Sequence, residues 1–515
     1  MPKHIVVIGD IDNRDFYHVG DEAMLEANIL QLRRYAPETQ LTLISADPVA
    51  SANFYQVPTV PCLGFGIRAK NHPEHLATIL EAAQNRLVGP LDHSQPFHLT
   101  IEALYRADAL LISGGGNINS TWPEHVYERM ALIKVAQLFQ KQIIITGQTI
   151  GPTLKDQERS LLEAVLPHVS ILGVRERPSA QLAPQLGVPL EKISFQLDDA
   201  FYLSPKPIEE PLAFDINQPF IALTISPYVN PETDSHSLDL LAAQLQTVDQ
   251  LTNVPLVFIP HISQSRYSHL TDALIGDYLK SKLDTLIVLP VYTAREVVWL
   301  TNKAALIISA RYHPLVFGIA AQIPCLGLYV DEYTKTKLTG ALAHAGLAEW
   351  AMPIEAAVHG LLPDAVQELW SRRDEINQHL MSCQPYWQHL YTAHWSKLLD
   401  AFDLPNSDSV SLVPPPSAPE RLLPEGNWLR MAHILDAAKQ DWDSQFNRLK
   451  TSFRQVEEYA LILDQERIGY KAHIAELLQF QQDMASRHAF LGGLAKIKAS
   501  ILQNLDRLLP SRHED

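Results

Sequence analysis

ALIISARYHPLVFGIAAQIPCLGLYV, residues 305–330, decides the fold. ALIISA (305–310) is a short apolar run, LVFGIAAQ (315–322) is a small-residue helix entered through Pro314, and PCLGLYV (324–330) is a second apolar run. Strand, helix and strand in so short a stretch make a parallel βαβ unit, whose strands are covered on both faces and so lack polar alternation. The pattern extends in both directions. FIALTIS (220–226), PLVFIP (255–260) and TLIVLP (285–290) precede the unit directly. Further upstream, HIVVIG (4–9), LTLIS (41–45), ALLISGGG (109–116), QIIITG (142–147) and ILGVRE (171–176) form another set, with amphipathic stretches at 21–36, 124–140 and 155–167 between them.

The Pro-rich seam LSPKPIEEPLAF (203–214) parts the two sets. The expected architecture is α/β, with two doubly wound Rossmann-like domains, 1–205 and 206–404, whose sheets open their carboxyl ends onto a shared cleft. Residues 374–404, grouped with the second domain, place Trp387, Tyr391, Trp395, Leu398 and Leu399 on one helical face, a closing helix for either domain. Residues 405–426 read as a Pro/Ser-rich linker. Residues 427–515 read as helical. From Leu435 through Ala438, Trp442, Phe446, Leu449, Phe453, Val456, Ala460 and Leu463, and again at Tyr470, Ile474 and Leu477, apolar positions recur every 3.5 residues, the period of a coiled-coil seam. A seam over 435–484 fits a homo-oligomer or a partner helix; a helix packed on its own enzyme domain and a helical hairpin or bundle are the alternatives. Gly492-Gly493 is expected to end it.

Of the 515 residues, 41 are Lys or Arg and 58 are Asp or Glu, a formal charge of −17. Residues 427–515 balance twelve basic against twelve acidic residues, so the whole excess lies in 1–426. Such a body offers no broad nucleic-acid footprint, and no run is long enough for a transmembrane segment. Cys62, Cys325 and Cys383 lie far apart, which suggests neither disulfides nor a metal site. Only five apolar residues precede Gly9-Asp10, too few for a signal-peptide core, and the expected location is cytoplasmic.

Chemistry-bearing residues gather where strands end. Gly20-Asp21-Glu22 opens a helix whose free N–H groups can hold an anion or a sugar hydroxyl, although Asp21 can equally cap them. ISGGGNIN (112–119) brings Gly115 and Asn117 to the next strand end, without the spacing of a nucleotide-phosphate loop. TGQTIGP (146–152) adds Gln148, and VRERPS (174–179) adds Arg175, which an acid of Asp198-Asp199 can pair structurally. In SARYHP (309–314), Arg311 and His313 face one way if the strand continues. The arginine supplies a planar fork for phosphate or carboxylate, and the histidine moves protons near neutral pH.

The order GDEAML, ADALLISGGGN, TGQTIGP, GVRERPS, DDA and SARYHPLVFGIAAQIPCLGLY, followed by a lysine and AGL, resembles the polysaccharide pyruvyl transferase family over roughly residues 4–348. The resemblance implies a GT-B-like fold and transfer of a pyruvyl group from phosphoenolpyruvate to sugar hydroxyls as a cyclic ketal, with release of phosphate. It implies donor binding by Arg175, Arg311, His313 and a lysine. LYVDEYTKTKLTG departs from the family's Tyr-x-x-Lys, so that counting back from Ala345-Gly346-Leu347 favours Lys337 and leaves Lys335 open, with Tyr329 or Tyr333 as the tyrosine. His313 and Arg311 are the expected catalytic residues. Asp21, Gly115, Asn117 and Gln148 are expected on the acceptor side. Phosphoenolpyruvate is then a co-substrate, with a sugar or polysaccharide as acceptor and neither metal nor resident cofactor. The segment Asn13–His18 is bulkier than the small polar loop the family pattern leads one to expect there. A glycosyltransferase using a sugar nucleotide and a non-catalytic scaffold of the same fold are the alternatives.

Overall fold

The computed structural model describes residues 2–11, 17–66, 71–226, 231–263, 271–406 and 415–465. Met1–Asp436 form one compact unit and Ala437–Asp515 a second. Within the first unit, His4–Ile8 (β1), Gln40–Ser45 (β2), Thr59–Pro61 (β3), Ala109–Ile112 (β4), Gly115–Ile118 (β5), Gln142–Ile150 (β6), Ile171–Val174 (β7) and Ile193–Phe195 (β8) make a parallel sheet. Its order is β3-β2-β1-β4-β6-β7-β8, with β5 alongside β6. Ile221–Thr224 (β9), Leu256–Phe258 (β10), Ile287–Val288 (β11), Leu306–Ser309 (β12), Cys325–Tyr329 (β13) and Ala351–Pro353 (β14) make the second, in the order β11-β10-β9-β12-β13-β14.

The apolar runs are explained by the two faces they serve. Val6 and Ile8 of β1 join Leu110, Ile112, Ile143 and Ile145 in one core, while Ile5 and Val7 join Leu43, Leu111 and Ile144 in another on the opposite face. With both faces of these strands buried, alternation disappears. Register then aligns the strand ends: Ile8 pairs with Ile44 and Ile112, and Ile112 with Ile145, so the loops after Ile8, Ile112 and Ile145 emerge at one edge. In each sheet the strand order reverses once near the middle, between β1 and β4 and between β9 and β12. Such reversals open the crevice in which ligands of doubly wound sheets bind.

Four placements differ from the sequence expectations. The stretch 112–119 is not all loop, since Gly115–Ile118 pairs with β6. The strand ALIISA ends at Ser309, and the following helix, Tyr312–Ala320, begins two residues before Pro314. Residues 374–404 divide into two helices, Arg373–Ser382 and Gln384–Phe402, and the second packs on β6, β7 and β8 of the first sheet, with Trp395, Leu398 and Phe402 in that sheet's core. Finally, Trp428 and Ala432 are buried in the core of the second sheet, so the boundary falls at Asp436 and not at 426. The end of the linker is fastened as well. Leu422 N–H donates to Gly346 O (3.0 Å), Trp350 Nε1 donates to Leu422 O (2.9 Å), and the Glu368 carboxylate accepts from Gly426 N (3.0 Å) and Trp428 Nε1 (2.6 Å).

In the second unit the helix that began at Asn427 runs to Gln465, with Trp442, Phe446 and Leu449 about half exposed. The expected seam positions Tyr470, Ile474 and Leu477, and Gly492-Gly493, lie outside the described residues, as do residues 13–16 of the expected bulky segment. No helix among the described residues is long and apolar enough to cross a membrane.

Two buried histidines make the first unit acid-sensitive. His344 donates from Nε2 to Arg175 O (2.7 Å) and stacks on Phe195, and burial lowers its pKa to about 4. His394 sits 3.1 Å from Ser194 Oγ, and burial lowers it to about 3. Both are neutral, folded or unfolded, well above pH 6.5. Below that the unfolded chain takes up protons that the folded chain refuses, so stability present above 6.5 is lost as the pH falls towards 4 and 3. Once the pH is below both values the loss is on the order of 3 kcal/mol for His344 and 5 kcal/mol for His394, at about 1.36 kcal/mol per pKa unit. The melting temperature should therefore drop steadily between pH 6.5 and 4, and His394→Asn should make that drop shallower; an unchanged slope would remove His394 from the account.

Candidate active site

The residue pair that decides the cleft sits at the reversal of the second sheet. Ser309 Oγ accepts from Arg311 N–H (2.9 Å) and turns the chain into the helix Tyr312–Ala320. Arg311 and His313 therefore do not share a strand face. Arg311 reaches sideways, its Nη2 donating to Asp272 Oδ1 (2.6 Å), while the other oxygen of this fully buried carboxylate accepts from His261 N–H (2.9 Å). Its Nε is buried without a hydrogen-bond partner among the described residues.

His313 points across to the first domain. A methyl group built on Gly20 would overlap the imidazole at Nδ1 and Cε1 and lie 2.7 Å from Cγ, so the ring rests directly on the glycine backbone. Its Nε2 lies 3.7 Å from Asp198 Oδ1 and has no hydrogen-bond partner among the described residues. Burial, followed by the nearby Arg175, holds the His313 pKa well below its ordinary value, and Asp21 opposes the shift. His313 is thus a neutral imidazole at pH 7.

Arg175 follows β7 and is fully buried. Nη1 donates to Asp198 Oδ2 (2.6 Å), Nε donates to Thr149 Oγ1 (3.0 Å) and Glu176 Oε1 (3.2 Å), and the guanidinium lies 4.2 Å from the centre of the Tyr312 ring. Nη2 has no partner among the described residues. Burial pushes Asp198 and Glu176 up, and Arg175 pulls both back. A guanidinium keeps its proton, so Asp198 faces a charged partner that favours its ionised form against burial. Asp198 therefore stands between Arg175 and His313, which joins the structural pairing and the site in one chain of contacts.

The helix Glu332–Ala343 supplies the lysine. Asp331 caps it, accepting from Thr334 N–H (2.7 Å), and the helical phase sends Lys335 and Lys337 in different directions. Lys335 pairs with Asp436 (2.7 Å), away from the cleft. Lys337 Nζ lies 3.1 Å from Tyr333 Oη, which in turn donates to Gly116 O (2.7 Å) across the domain boundary. Burial and then Arg175 lower the Lys337 pKa to about 8. Lys337, with Tyr333, is the pair that faces the site.

The expected acceptor residues separate. Asp21 pairs with His18 Nδ1 (2.9 Å); burial would raise its pKa, but His18, His313 and Lys337 hold it well below the carboxylate range. Asn117 donates from Nδ2 to Asp10 Oδ2. Gln148 is fully buried beneath the strand end, bonded to Ser113 O (2.8 Å), and Gly115 covers it. Asp21 and Asn117 face the cleft region, while Gln148 supports it from below. Sequence reasoning missed Tyr312 and Glu176, although SARYHP and VRERPS contain them, and His18 and Asp10, whose spacing carries no signal of its own.

The two domains meet along a short seam beside this cluster. His18 bridges Ile262 in antiparallel fashion, Val19 N–H donates to His261 O (2.9 Å), and Ser263 N–H donates to Tyr17 O (3.0 Å). The Tyr17 hydroxyl accepts from Ala294 N–H (2.8 Å). These bonds fix the start of the helix Val19–Tyr35, and with it Gly20, against His313.

A family model described as polysaccharide pyruvyl transferase matches residues 18–332, a span that holds Arg175, Arg311 and His313 and stops five residues short of Lys337. The amylovoran biosynthesis protein AmsJ of Erwinia amylovora is 20% identical over 386 residues, covering 70% of this chain and 91% of that protein. Among solved structures, a UDP-N-acetylglucosamine 2-epimerase, itself assigned only by inference, from Listeria monocytogenes superposes with a TM-score of 0.53 at 11% identity, over 82% of this chain and 100% of that one. The rhamnosyltransferase SpnG of spinosyn synthesis superposes with a TM-score of 0.40 at 13% identity, over 74% and 95%. The likeness to the epimerase is one of fold, the two-domain GT-B arrangement.

Proposed function

The chain belongs to the polysaccharide pyruvyl transferase family, and from that premise we propose that it takes the pyruvyl group of phosphoenolpyruvate and closes it as a cyclic ketal on two hydroxyls of a sugar during polysaccharide synthesis. The observation that carries this reading is a set of cations beside His313: Arg175 and Lys337 both lie over the ring of the adjacent Tyr312, at 4.2 and 5.4 Å from its centre, and Arg311 stands at the start of the same helix. Arg175 Nη2 and Arg311 Nε are buried N–H donors without partners among the described residues, and the lysine meets a tyrosine hydroxyl. A small trianion satisfies such a set, since charge-assisted hydrogen bonds to phosphate and carboxylate are the strong ones. Arg175 and Arg311 already have carboxylate partners, so what an anion adds is acceptors for their remaining N–H groups and a counter-charge for Lys337, whose pKa burial and Arg175 lower.

In this reading Arg311 and Lys337 hold the phosphate and Arg175 the carboxylate. The positive charge of Arg175 and Lys337 adds to burial in depressing His313, so the charge of the donor opposes the effect and returns the imidazole towards the pH at which it can carry a proton. His313 then protonates the methylene carbon, C2 becomes electrophilic, and a sugar hydroxyl adds to it. The C–O bond to phosphate breaks, and a second hydroxyl closes the ketal. Of the two hydroxyl protons, one replaces the proton spent on the methylene carbon and the other leaves with the phosphate. Positioning and fixed charge supply most of the acceleration.

Phosphoenolpyruvate should raise the melting temperature of the purified full chain, and a panel of hexosides should include one that releases phosphate. Arg311→Lys keeps the charge but loses the fork, and should raise the donor KM about 10- to 100-fold, the worth of one charged hydrogen bond. Stabilisation by UDP and not by phosphoenolpyruvate, with no phosphate released, would assign the cleft to a sugar nucleotide instead.

A further inference from the structure

We propose that the acceptor sugar lies against Trp122 and that Asp10, held by Asn117 beside His125, takes the proton of its attacking hydroxyl; the inference rests on the pyruvyl-transfer reading for its chemistry and on the geometry of the first sheet for its place.

Asp10 lies two residues beyond the end of β1, at the point where the order of the first sheet reverses, and Asn117 reaches it from β5 through its side-chain amide. Ligands of doubly wound sheets are expected there. Among the acids at this edge, Asp10 is the one with capacity to spare. Asp198 is committed to Arg175 and to Ala200 N–H. Glu176 accepts from Thr149, Ser179 and Arg175. Asp199 accepts from Gly114 N–H, Asn28, Thr146 and Gln196. Asp21 is paired with His18. The Asp10 side chain is 32% exposed, with one oxygen on the Asn117 amide and the other 3.4 Å from His125 Nδ1. A carboxylate oriented by the Asn117 amide and lying beside an imidazole nitrogen that Arg129 Nη1 also approaches (3.4 Å), yet open to solvent, can accept from a hydroxyl and later give the proton to water.

Behind it stands Arg129, buried, with Nη1 donating to His125 O (3.3 Å), Nε without a partner, and no carboxylate within 4.0 Å among the described residues. It anchors the first turn of the helix Pro123–Leu138 and so fixes the direction of His125. One turn before His125, whose N–H donates to Trp122 O (3.1 Å), stands an aromatic face. Trp122 immediately precedes that helix, is partly exposed, and meets the Tyr333 ring edge-on with centroids 5.2 Å apart. Tyr333 is the residue that touches both Lys337 Nζ and Gly116 O, one residue before Asn117. A flat apolar face joined through His125 and through Tyr333 and Gly116 to an accessible carboxylate suits a pyranose, whose C–H face packs while its hydroxyls donate. The donor lysine and the sugar face are thus linked through one tyrosine. The step balances simply: the hydroxyl oxygen bonds to C2 of the pyruvyl unit, its O–H bond breaks, and the proton passes to Asp10.

Two readouts on the full chain separate this inference from the reading it rests on. Saturation-transfer NMR with methyl hexopyranosides reports sugar binding without turnover, and phosphate release from phosphoenolpyruvate with p-nitrophenyl hexosides reports transfer. Trp122→Ala should abolish the saturation-transfer signal and raise the acceptor KM roughly tenfold, with the donor KM unchanged. Asp10→Asn should lower kcat about 100-fold or more, flatten the acidic limb of the rate profile, and leave the melting shift given by phosphoenolpyruvate intact. If Trp122→Ala abolishes sugar binding while phosphoenolpyruvate neither binds nor reacts with the wild type, the subsite stands and the donor reading falls. Turnover by the wild type, with the saturation-transfer signal, acceptor KM and kcat of both variants within twofold of it, would overturn the subsite.

Discussion

Gly20→Ala should cost at least about 100-fold in kcat/KM for phosphoenolpyruvate while the protein stays folded. Gly20 is the second residue of the helix Val19–Tyr35, where alanine suits the backbone and is favoured over glycine by about 1 kcal/mol. The penalty is felt by one neighbour. The new methyl group would occupy the space of the His313 imidazole at Nδ1 and Cε1. That ring has little room to retreat, with Phe317 at 5.9 Å, Tyr312 at 5.1 Å and Asp198 on its remaining side. Either the ring or the helix start must move by about an ångström, and a shift of that size in a reacting group is worth about 100-fold. Gly116→Ala is the matched control. There the methyl would meet the Tyr333 hydroxyl and come within 2.8 Å of Lys337 Nζ, the ends of side chains that can turn aside, so a smaller loss is expected. Circular dichroism of both variants checks folding. A Gly20→Ala enzyme within threefold of wild type would mean that the His313 ring is not where the chemistry needs it.

The contrast between these two glycines shows what a linear sequence can carry. Both are legible as helix start and strand-end glycine, but neither reveals its partner, because His313 lies almost three hundred residues from Gly20 and Tyr333 more than two hundred from Gly116. The strands were readable for a physical reason, that a strand buried on both faces must be an unbroken apolar run. β3, β8 and β14 escaped because TVP, ISF and AMP are three residues long, and two of them contain proline, which suits a short or edge strand and gives no run to recognise. The positions of Arg175, Arg311 and His313 followed from motifs at strand ends. Their orientations did not: a continued strand would have put Arg311 and His313 on one face, and the observed helix start sends them to Asp272 and towards Asp198. Spacing favours Lys337 over Lys335 without excluding Lys335. What distinguishes them in the structure is Asp436, a hundred residues on, in a helix whose apolar series, read from Leu435 onward, gave no sign that Trp428 and Ala432 belong to the core of the second sheet.

Arg175→Met should be the most destabilising substitution in the site, by about 3–5 kcal/mol, because it breaks a buried ion pair from one side only. Wild type places two carboxylates, Asp198 and Glu176, in a region without exposure and lets one guanidinium answer both, with the Tyr312 ring beneath it. Methionine fills much of the volume but leaves both acids without that counter-charge. Burial already pushes each of them up, and without Arg175 each must take up a proton or remain ionised at greater cost. Adding Asp198→Asn in the same chain removes one of the stranded charges and should recover part of the loss. The interaction energy from the resulting double-mutant cycle then measures the pair itself and not the penalty of an orphaned acid. Denaturant melts of the four proteins supply it. Full additivity, with no recovery, would show that Arg175 and Asp198 do not depend on each other, and His313 would then lose the link through which Arg175 bears on its proton.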